Sequence, residues 1–452
     1  MKIFNISLYK SAALLLAITG ITSCKKFVEL PLPASQVVTA AVFADSTSLN
    51  AALGGIYSSL GSNTGTATTV FTASAMFADE VISKITYGND AYAVTNTYTA
   101  DQDFGYFSYY YFAIYQANAL LEGIDNAPNI SASQVKQVKG ECLFLRAYCH
   151  FNLTNFYGTI PVITTTDVSK TQFAPNSPID DIYASIFADL QTAGTLLTDG
   201  YPAPLRTQAN LETVHALQAK AYLYHKDWSK AISAANAVIG SGLYSLTPDL
   251  NQVASNTSNE TIWQFWNQAG YCLGGSGYIP GNTASPNYPV RPELVNAFAA
   301  NDKRFTSWFG ACTGAAAGQY YPFKYQVKGT TVGKAEYLIN FRLAEMYLIR
   351  AEALTQQNNL PDAITDIETI RSRAGLTDPL TITAQTQLLD TIAQERRREL
   401  VFENAHRWFD LKRTDKAVAV LSAIKPTFKP NAVLLPFPRA ATNANYNLKP
   451  NP

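Results

Sequence analysis

The sequence predicts a mostly α-helical fold of paired helices interrupted by one loop-rich stretch, and three observations carry that expectation. Apolar residues recur at three- to four-residue spacing over much of the chain, the period of a helix with one buried face. Two segments repeat the small-residue pattern of a tetratricopeptide hairpin. Ala219 and Ala231 are twelve apart, as are Ala351 and Ala363; a large apolar residue, Trp228 or Leu360, lies three before each second alanine, and Ile follows it. Residues 241–335 lose the helical period, become rich in Gly, Pro, Asn, Ser and Thr, and keep Trp263, Trp266 and Trp308.

Taken in order, the chain opens with Lys2 and Lys10, an apolar stretch from Ser11 to Ile21, and then Thr22-Ser23-Cys24. This is the layout of a bacterial signal peptide, residues 1–23, ending at a lipid-acceptor cysteine; the apolar stretch is too short to span a bilayer. The Cys24 thiol takes a diacylglycerol and its freed amine a further acyl chain, and several chains make a durable anchor. Residues 24–33, with Pro31 and Pro33, read as an extended lipidated tether.

Residues 34–240 read as a helical region. Asp45 or Ser46 caps a helix running to about Leu60, and a second helix covers 104–124 with Phe104, Phe107, Tyr111 and Tyr115 on one buried face. Others are expected at 131–156, 179–197, 209–225 and 228–240, and a polar, tyrosine-bearing loop runs from Gly61 to Asp103. Residues 241–335 form a second, loop-rich subdomain. Residues 336–452 are helical again, with helices at 336–357, 361–373 and 386–404.

Removing residues 1–23 takes away two lysines and no acid, leaving 32 basic against 34 acidic residues, a formal charge of −2. Such a balance argues against nucleic-acid binding. Cys142 and Cys149 share one helix about 10 Å apart, too far for a disulfide, and read as buried thiols. Spacing leaves a bridge between Cys272 and Cys312 open.

Catalytic signals are absent. No two of His150, His215, His225 and His406 have the spacing that holds zinc on a helix. Asp79-Glu80 and Asp180-Asp181 are neighbours whose side chains diverge, and Gly274-Gly275-Ser276-Gly277 lacks the glycine pattern of a nucleophile elbow. We therefore expect no catalytic residues, no metal and no cofactor. Arg146, inside an apolar helix, reads as a paired structural arginine. Glu399, Glu403 and Arg407, four apart in turn, read as one helical face of a structural network with Trp408 and Asp410.

What remains is a supply of loop aromatics. A sugar ring packs its C–H face on an indole or phenol while its hydroxyls seek amides and carboxylates. The candidates are Tyr87, Tyr92, Tyr98, Trp266, Tyr271, Tyr278, Tyr288 and Trp308, with Asn89, Asp90, Asn267 and Gln268 as polar partners. Packing inside the loops competes as an explanation for each aromatic; Trp263, Trp228 and Trp408 read as core.

Several stretches resemble one family. Gly140-Glu141-Cys142-Leu143-Phe144-Leu145-Arg146-Ala147-Tyr148 followed by Gly158-Thr159-Ile160-Pro161-Val162 is similar to the helix and Gly-x-x-Pro exit of SusD/RagB proteins. In the same order, Tyr111 to Ile124, Arg342 to Leu354, Ile370 to Gly375, Glu395 to Arg413 and the closing Asn447 to Pro452 resemble further family segments. The resemblance implies a SusD-like scaffold of tetratricopeptide-like hairpins in a right-handed superhelix, with an irregular loop-rich subdomain. It implies an outer-membrane lipoprotein, usually facing outward, that captures glycans or other oligomeric nutrients and partners a SusC-like TonB-dependent transporter. Lys25 and Lys26 depart from the acids that often follow the cysteine in surface-exposed members, which leaves the direction of the anchor open. Two alternatives stand beside capture: an adaptor that binds a non-glycan nutrient or only protein, and a glycan-processing enzyme.

Overall fold

A computed structural model describes residues 39–61 and 66–451. The expected signal peptide, Cys24 and the tether lie outside the described residues. The chain divides into residues 1–42, whose described part is the short helix Thr39–Val42, and a compact unit from Phe43 to Pro452.

The longer helices of the second unit are α1 (Ser46–Gly61), α2 (Thr66–Phe77), α3 (Gly88–Thr95), α4 (Tyr106–Gly123), α5 (Ala132–Tyr157), α6 (Ile179–Leu196), α7 (Leu211–Tyr224), α8 (Trp228–Gly240), α9 (Leu343–Gln356), α10 (Leu360–Arg373), α11 (Gln385–Glu399), α12 (His406–Arg413) and α13 (Ala417–Ile424). Helix α5 starts where the Ser131 hydroxyl accepts the N–H of Gln134, ends at Gly158 with φ 75°, and is buried on several faces because α4 and α6 both pack on it. Its Arg146 donates to Asp189 of α6 at 2.6 and 2.8 Å and to Asn118 of α4 at 2.7 Å, so one arginine ties three helices.

The repeated hairpins are present. Ala219, Ala231, Ala351 and Ala363 are completely buried, letting α7 approach α8 and α9 approach α10 closely. Each hairpin turns through a residue in the left-handed region, Lys226 at φ 65° and Asn358 at φ 62°, two positions before the second helix. Helix α8 packs on α9, joining the two hairpins. Trp228 is a correction: it is only half-buried, because it stands on the first turn of α8 at the wall of a cavity.

Among the described residues, four short strands lie between or beside these blocks. β1 (Thr261–Phe265) pairs antiparallel with β4 (Leu338–Arg342), and β2 (Phe309–Ala311) with β3 (Tyr320–Pro322). The helix expected over 336–357 therefore begins only at Leu343. Leu338, Ile339 and Phe341 suit a buried helical turn as well as a buried strand, and β1 supplies the partner that selects strand. Trp263 of β1 packs edge-on against Phe144 and Tyr148 of α5, each at 5.0 Å between ring centres.

Other expectations also change. The stretch from Gly61 to Asp103 contains α2 and α3, and α2 buries Phe71, Met76 and Phe77 although its Thr- and Ala-rich sequence shows little period. Helix α4 buries Tyr106, Tyr110, Ala113, Ile114 and Ala117, so Tyr115 points outward and Phe107 and Tyr111 are only partly covered. Helix α11 stops at Glu399, and Phe402 and Asn404 at φ 56° and 39° break the path to α12. Glu399, Glu403 and Arg407 do not share a helical face. Instead Arg342 of β4 gathers Glu399 at 2.7 Å, Glu403 at 2.9 Å and Glu260 at 2.6 Å, while Arg304 reaches Glu395 and Glu399. Lys324 pairs with Glu403, and Arg373 with Glu399 and Glu260. The four cysteines among the described residues are free thiols.

Candidate ligand-binding loops

The main chain brings two separate candidate stretches together. The N–H groups of Ile82 and Lys84 donate to the carbonyls of Pro289 and Asn287 at 2.8 and 2.9 Å, laying residues 82–84 along residues 287–289. The chain then turns at Gly88, φ 63°, into α3, and Tyr87 sits extended at the N-cap with its side chain 78% exposed. Asn89 donates to the carbonyl of Asp103 at 3.1 Å, and the Tyr288 hydroxyl donates to Asp90 at 2.6 Å. Burial and the Asp90 carboxylate both push the Tyr288 hydroxyl upward in pKa, so it remains a neutral donor. Beneath it Tyr278 meets Tyr288 edge-on at 5.4 Å and donates to the carbonyl of Thr72 at 2.9 Å. The result is one exposed phenol ring on a fixed helix start, flanked by an amide and a carboxylate that are already oriented.

The candidates divide clearly. Tyr87, Asn89, Asp90 and Tyr288 form this group, and Tyr92, 38% exposed, lies on the same helix. Trp266, 54% exposed, stands just after β1, whose five residues are all buried, where the chain leaves the pairing with β4. Asn267 accepts the N–H of Ala269 there, Gln268 is exposed and Tyr271 is half-buried. Three candidates are corrected. Tyr98 is buried against Phe77 and Phe104, Tyr278 is buried under Tyr288 and against Phe71, and Trp308 is fully buried, its Nε1 donating to the Leu250 carbonyl at 2.9 Å with Lys324 Nζ 3.6 Å above its ring. Each fills a space between elements distant in sequence, which loop composition does not report.

Sequence reasoning missed an exposed aromatic row on α4. Tyr109 is 40% exposed, and Phe112 and Tyr115 are each 53% exposed, three residues apart in turn. Tyr109 folds back over Gly105, where an added Cβ would come within 2.7 Å of its ring, and Gly105 lies two residues from the Asp103 carbonyl that holds Asn89. The signal was available: seven of the ten residues from 106 to 115 are aromatic, more than one helix face can bury.

The acids noted in the sequence have structural partners. Asp79 receives Arg407 and Arg397, Glu80 accepts the Phe402 N–H, and Asp180 meets His225 at 3.2 Å. Burial pushes the Glu80 carboxyl up to about 8, and neighbouring Asp79 adds to the shift. Among the described residues no group of three or more His, Cys, Asp or Glu side chains could hold a metal ion, and no helix is long and apolar enough to cross a membrane.

Fold and surface together define a helical-hairpin protein that presents rigidly held aromatic loops. Two family models match: one described as "Starch-binding associating with outer membrane", a SusD-like model, over residues 27–223, and one described as "SusD family" over residues 308–452. The chain belongs to the SusD/RagB family. It is similar to two SusD-like proteins of Formosa agariphila, each 26% identical, which cover 73% and 79% of this chain and 76% and 82% of their own lengths. Among solved structures it resembles a SusD superfamily protein of Bacteroides vulgatus, TM-score 0.79 at 20% identity, covering 90% of this chain and 99% of that one. A laminarin-binding SusD-like protein superposes with TM-score 0.76 at 23% identity, over 90% and 99% of the two chains.

Proposed function

We propose that this protein is a lipid-anchored outer-membrane lipoprotein that captures oligosaccharides by non-covalent binding and hands them to a SusC-like TonB-dependent transporter, with no chemistry performed. Cys24 carries the anchor, residues 24–33 are the tether, and the body beyond it holds the ligand. The observation that carries the reading is the exposed Tyr87 ring held at the α3 N-cap beside Asn89, Asp90 and Tyr288. An aromatic platform flanked by oriented amide and carboxylate groups matches a sugar ring, which needs both an apolar contact and directed hydrogen bonds. Family membership supports the outer-membrane setting and the transporter partner.

Calorimetric titration of residues 25–452 with a panel of oligosaccharides that includes laminarin fragments tests it, repeated with Tyr87→Ala and Trp266→Ala. Binding weakened by Tyr87→Ala with an unchanged unfolding transition supports capture at this group. Binding weakened only by Trp266→Ala moves the site to the turn after β1. No binding anywhere on the panel overturns glycan capture and favours a non-glycan nutrient or an adaptor role.

A further inference from the structure

Helix α4 carries more aromatic surface than the fold uses. Burial of Tyr106, Tyr110, Ala113, Ile114 and Ala117 fixes the helix, and Tyr109, Phe112 and Tyr115 are left on its outward side, each close to half exposed. Three residues of a helix rise about 4.5 Å and stop about 60° short of a full turn, so the three rings follow one another obliquely over about 9 Å. Their backbone is held by the buried face, which gives the row the rigidity of a preformed surface.

The row starts where the Tyr87 group is anchored. The Gly105 N–H donates to Asp103 Oδ1 at 2.7 Å, and the Asp103 carbonyl receives Asn89 Nδ2 at 3.1 Å. Gly105, at φ 80° and without a Cβ, leaves the space into which the Tyr109 ring folds. One short turn, residues 103–105, therefore positions both the amide beside Tyr87 and the first ring of the row.

The chemistry around the rings selects among occupants. Glu122 is the only charged residue of α4; it is exposed and accepts the Thr165 and Thr166 hydroxyls at one end of the helix, and exposed Asp103 precedes the other end. An anionic glycan or an anionic lipid headgroup would meet like charge at both ends and no cation on the helix. A neutral sugar chain lays C–H faces on the rings and donates its hydroxyls to carboxylates. A protein partner needs more surface than the row offers. At about 200 Å² for a whole aromatic side chain, the three rings expose about 300 Å², less than half of the about 800 Å² that each side of a stable protein interface buries.

We infer that Tyr109, Phe112 and Tyr115 are a track that continues the Tyr87 group along α4, and that the preferred ligand is a neutral glycan chain long enough to occupy both. This rests on the reading of the Tyr87 group as a sugar site. The test is calorimetric titration of the mature full-length chain in a polyoxyethylene detergent with laminari- and malto-oligosaccharides of three and seven units, and with a seven-unit oligogalacturonate. The variants are Tyr87→Ala and the double substitution Phe112→Gln with Tyr115→Gln, which puts good helix formers on an exposed face and spares the fold.

In a neutral series that binds, the seven-unit chain is expected to bind about tenfold more tightly than the three-unit chain, and the double variant to remove most of that gain. The three-unit chain should stay within about twofold of its wild-type affinity, with the melting temperature unchanged. The oligogalacturonate should bind at least about tenfold more weakly than the neutral chain of its length. Equal affinity for the two lengths, a seven-unit chain untouched by the double variant, or tighter binding of the oligogalacturonate overturns the inference. Binding weakened by Tyr87→Ala while the double variant is silent removes the track and leaves capture at the Tyr87 group standing. The reverse pattern keeps a sugar site on α4 and overturns capture at Tyr87. No binding in either neutral series overturns both. A wild-type dimer in sedimentation that the double variant abolishes, with sugar binding unchanged, overturns the track in favour of a second copy of this chain.

Discussion

Arg342 Nη1 lies 2.7 Å from Glu399 Oε1, with both side chains buried and 57 positions apart in the chain. The contact joins β4 to the end of α11. Around it, Glu260 beside β1, Arg304 of the loop-rich stretch, Arg373 of α10 and Lys324 complete one buried ionic network. Burial alone would raise the Glu399 carboxyl, yet Arg373, Arg342 and Arg304 outweigh it and hold it well below the usual carboxylate range.

Arg342→Met is therefore expected to destabilise the protein by about 3–5 kcal/mol, since it strands Glu399, Glu403 and Glu260 as buried charges with fewer partners. Urea unfolding followed by tryptophan fluorescence measures it. A loss below about 1 kcal/mol would place the stability of this region in its apolar packing and not in the network.

Glu80 predicts a pH dependence. Its carboxyl is pushed up to about 8, whereas an unfolded glutamate ionises near about 4.3, so between these values the folded chain holds a proton that the unfolded chain has released. Stability contributed by Glu80 is complete below that window and falls as pH rises through it. Glu80→Gln should remove up to about 1.4 kcal/mol per pH unit of that slope. The difference between wild type and variant at pH 5, 6.5 and 8 isolates this proton from Glu141 and Lys412, each shifted to about 7 by burial.

Two aromatic substitutions should part ways. Tyr87→Ala is expected to leave stability within about 0.5 kcal/mol, as an exposed side chain, and to weaken sugar binding by about 0.5–1.5 kcal/mol. Trp308→Ala is expected to cost about 3–5 kcal/mol of stability through the cavity it leaves. Any loss of binding should follow only from unfolding. Parallel calorimetry and thermal melts separate the two effects.

Overfilling the second hairpin tests its close approach. Ala351 of α9 is completely buried against the cluster that contains Ala363, Ile367 and Leu388. Ala351→Leu should cost about 1–3 kcal/mol by forcing α9 and neighbouring helices apart. A neutral result in a urea melt would mean that the hairpin axes have room the packing does not show.

Much of the scaffold was legible in the sequence because a helix with one buried face repeats its apolar residues locally. The alanine pairs at 219, 231, 351 and 363 located both hairpins, and an arginine inside the apolar run of α5 announced a buried partner, which proved to be Asp189. Family segments from Tyr111 to the C-terminus agreed with that reading. The candidate site was legible only in part. Composition located the aromatic stretches, but Tyr87 and Tyr98 differ in nothing local that would make one exposed and the other part of the core with Phe77 and Phe104.

The sequence by itself thus determined the helices, their pairing into hairpins and the family, all of which rest on short-range periodicity or on ordered motifs. Tertiary structure alone decided which loop rings face water, why residues 338–342 are strand, and how Glu399 and Glu403 reach Arg342 after α11 has broken. The physical reason is common to the three. Strand pairing and ion pairing at these positions depend on partners far along the chain, as does the burial of Tyr278 against Phe71, and an irregular loop carries no period that names them.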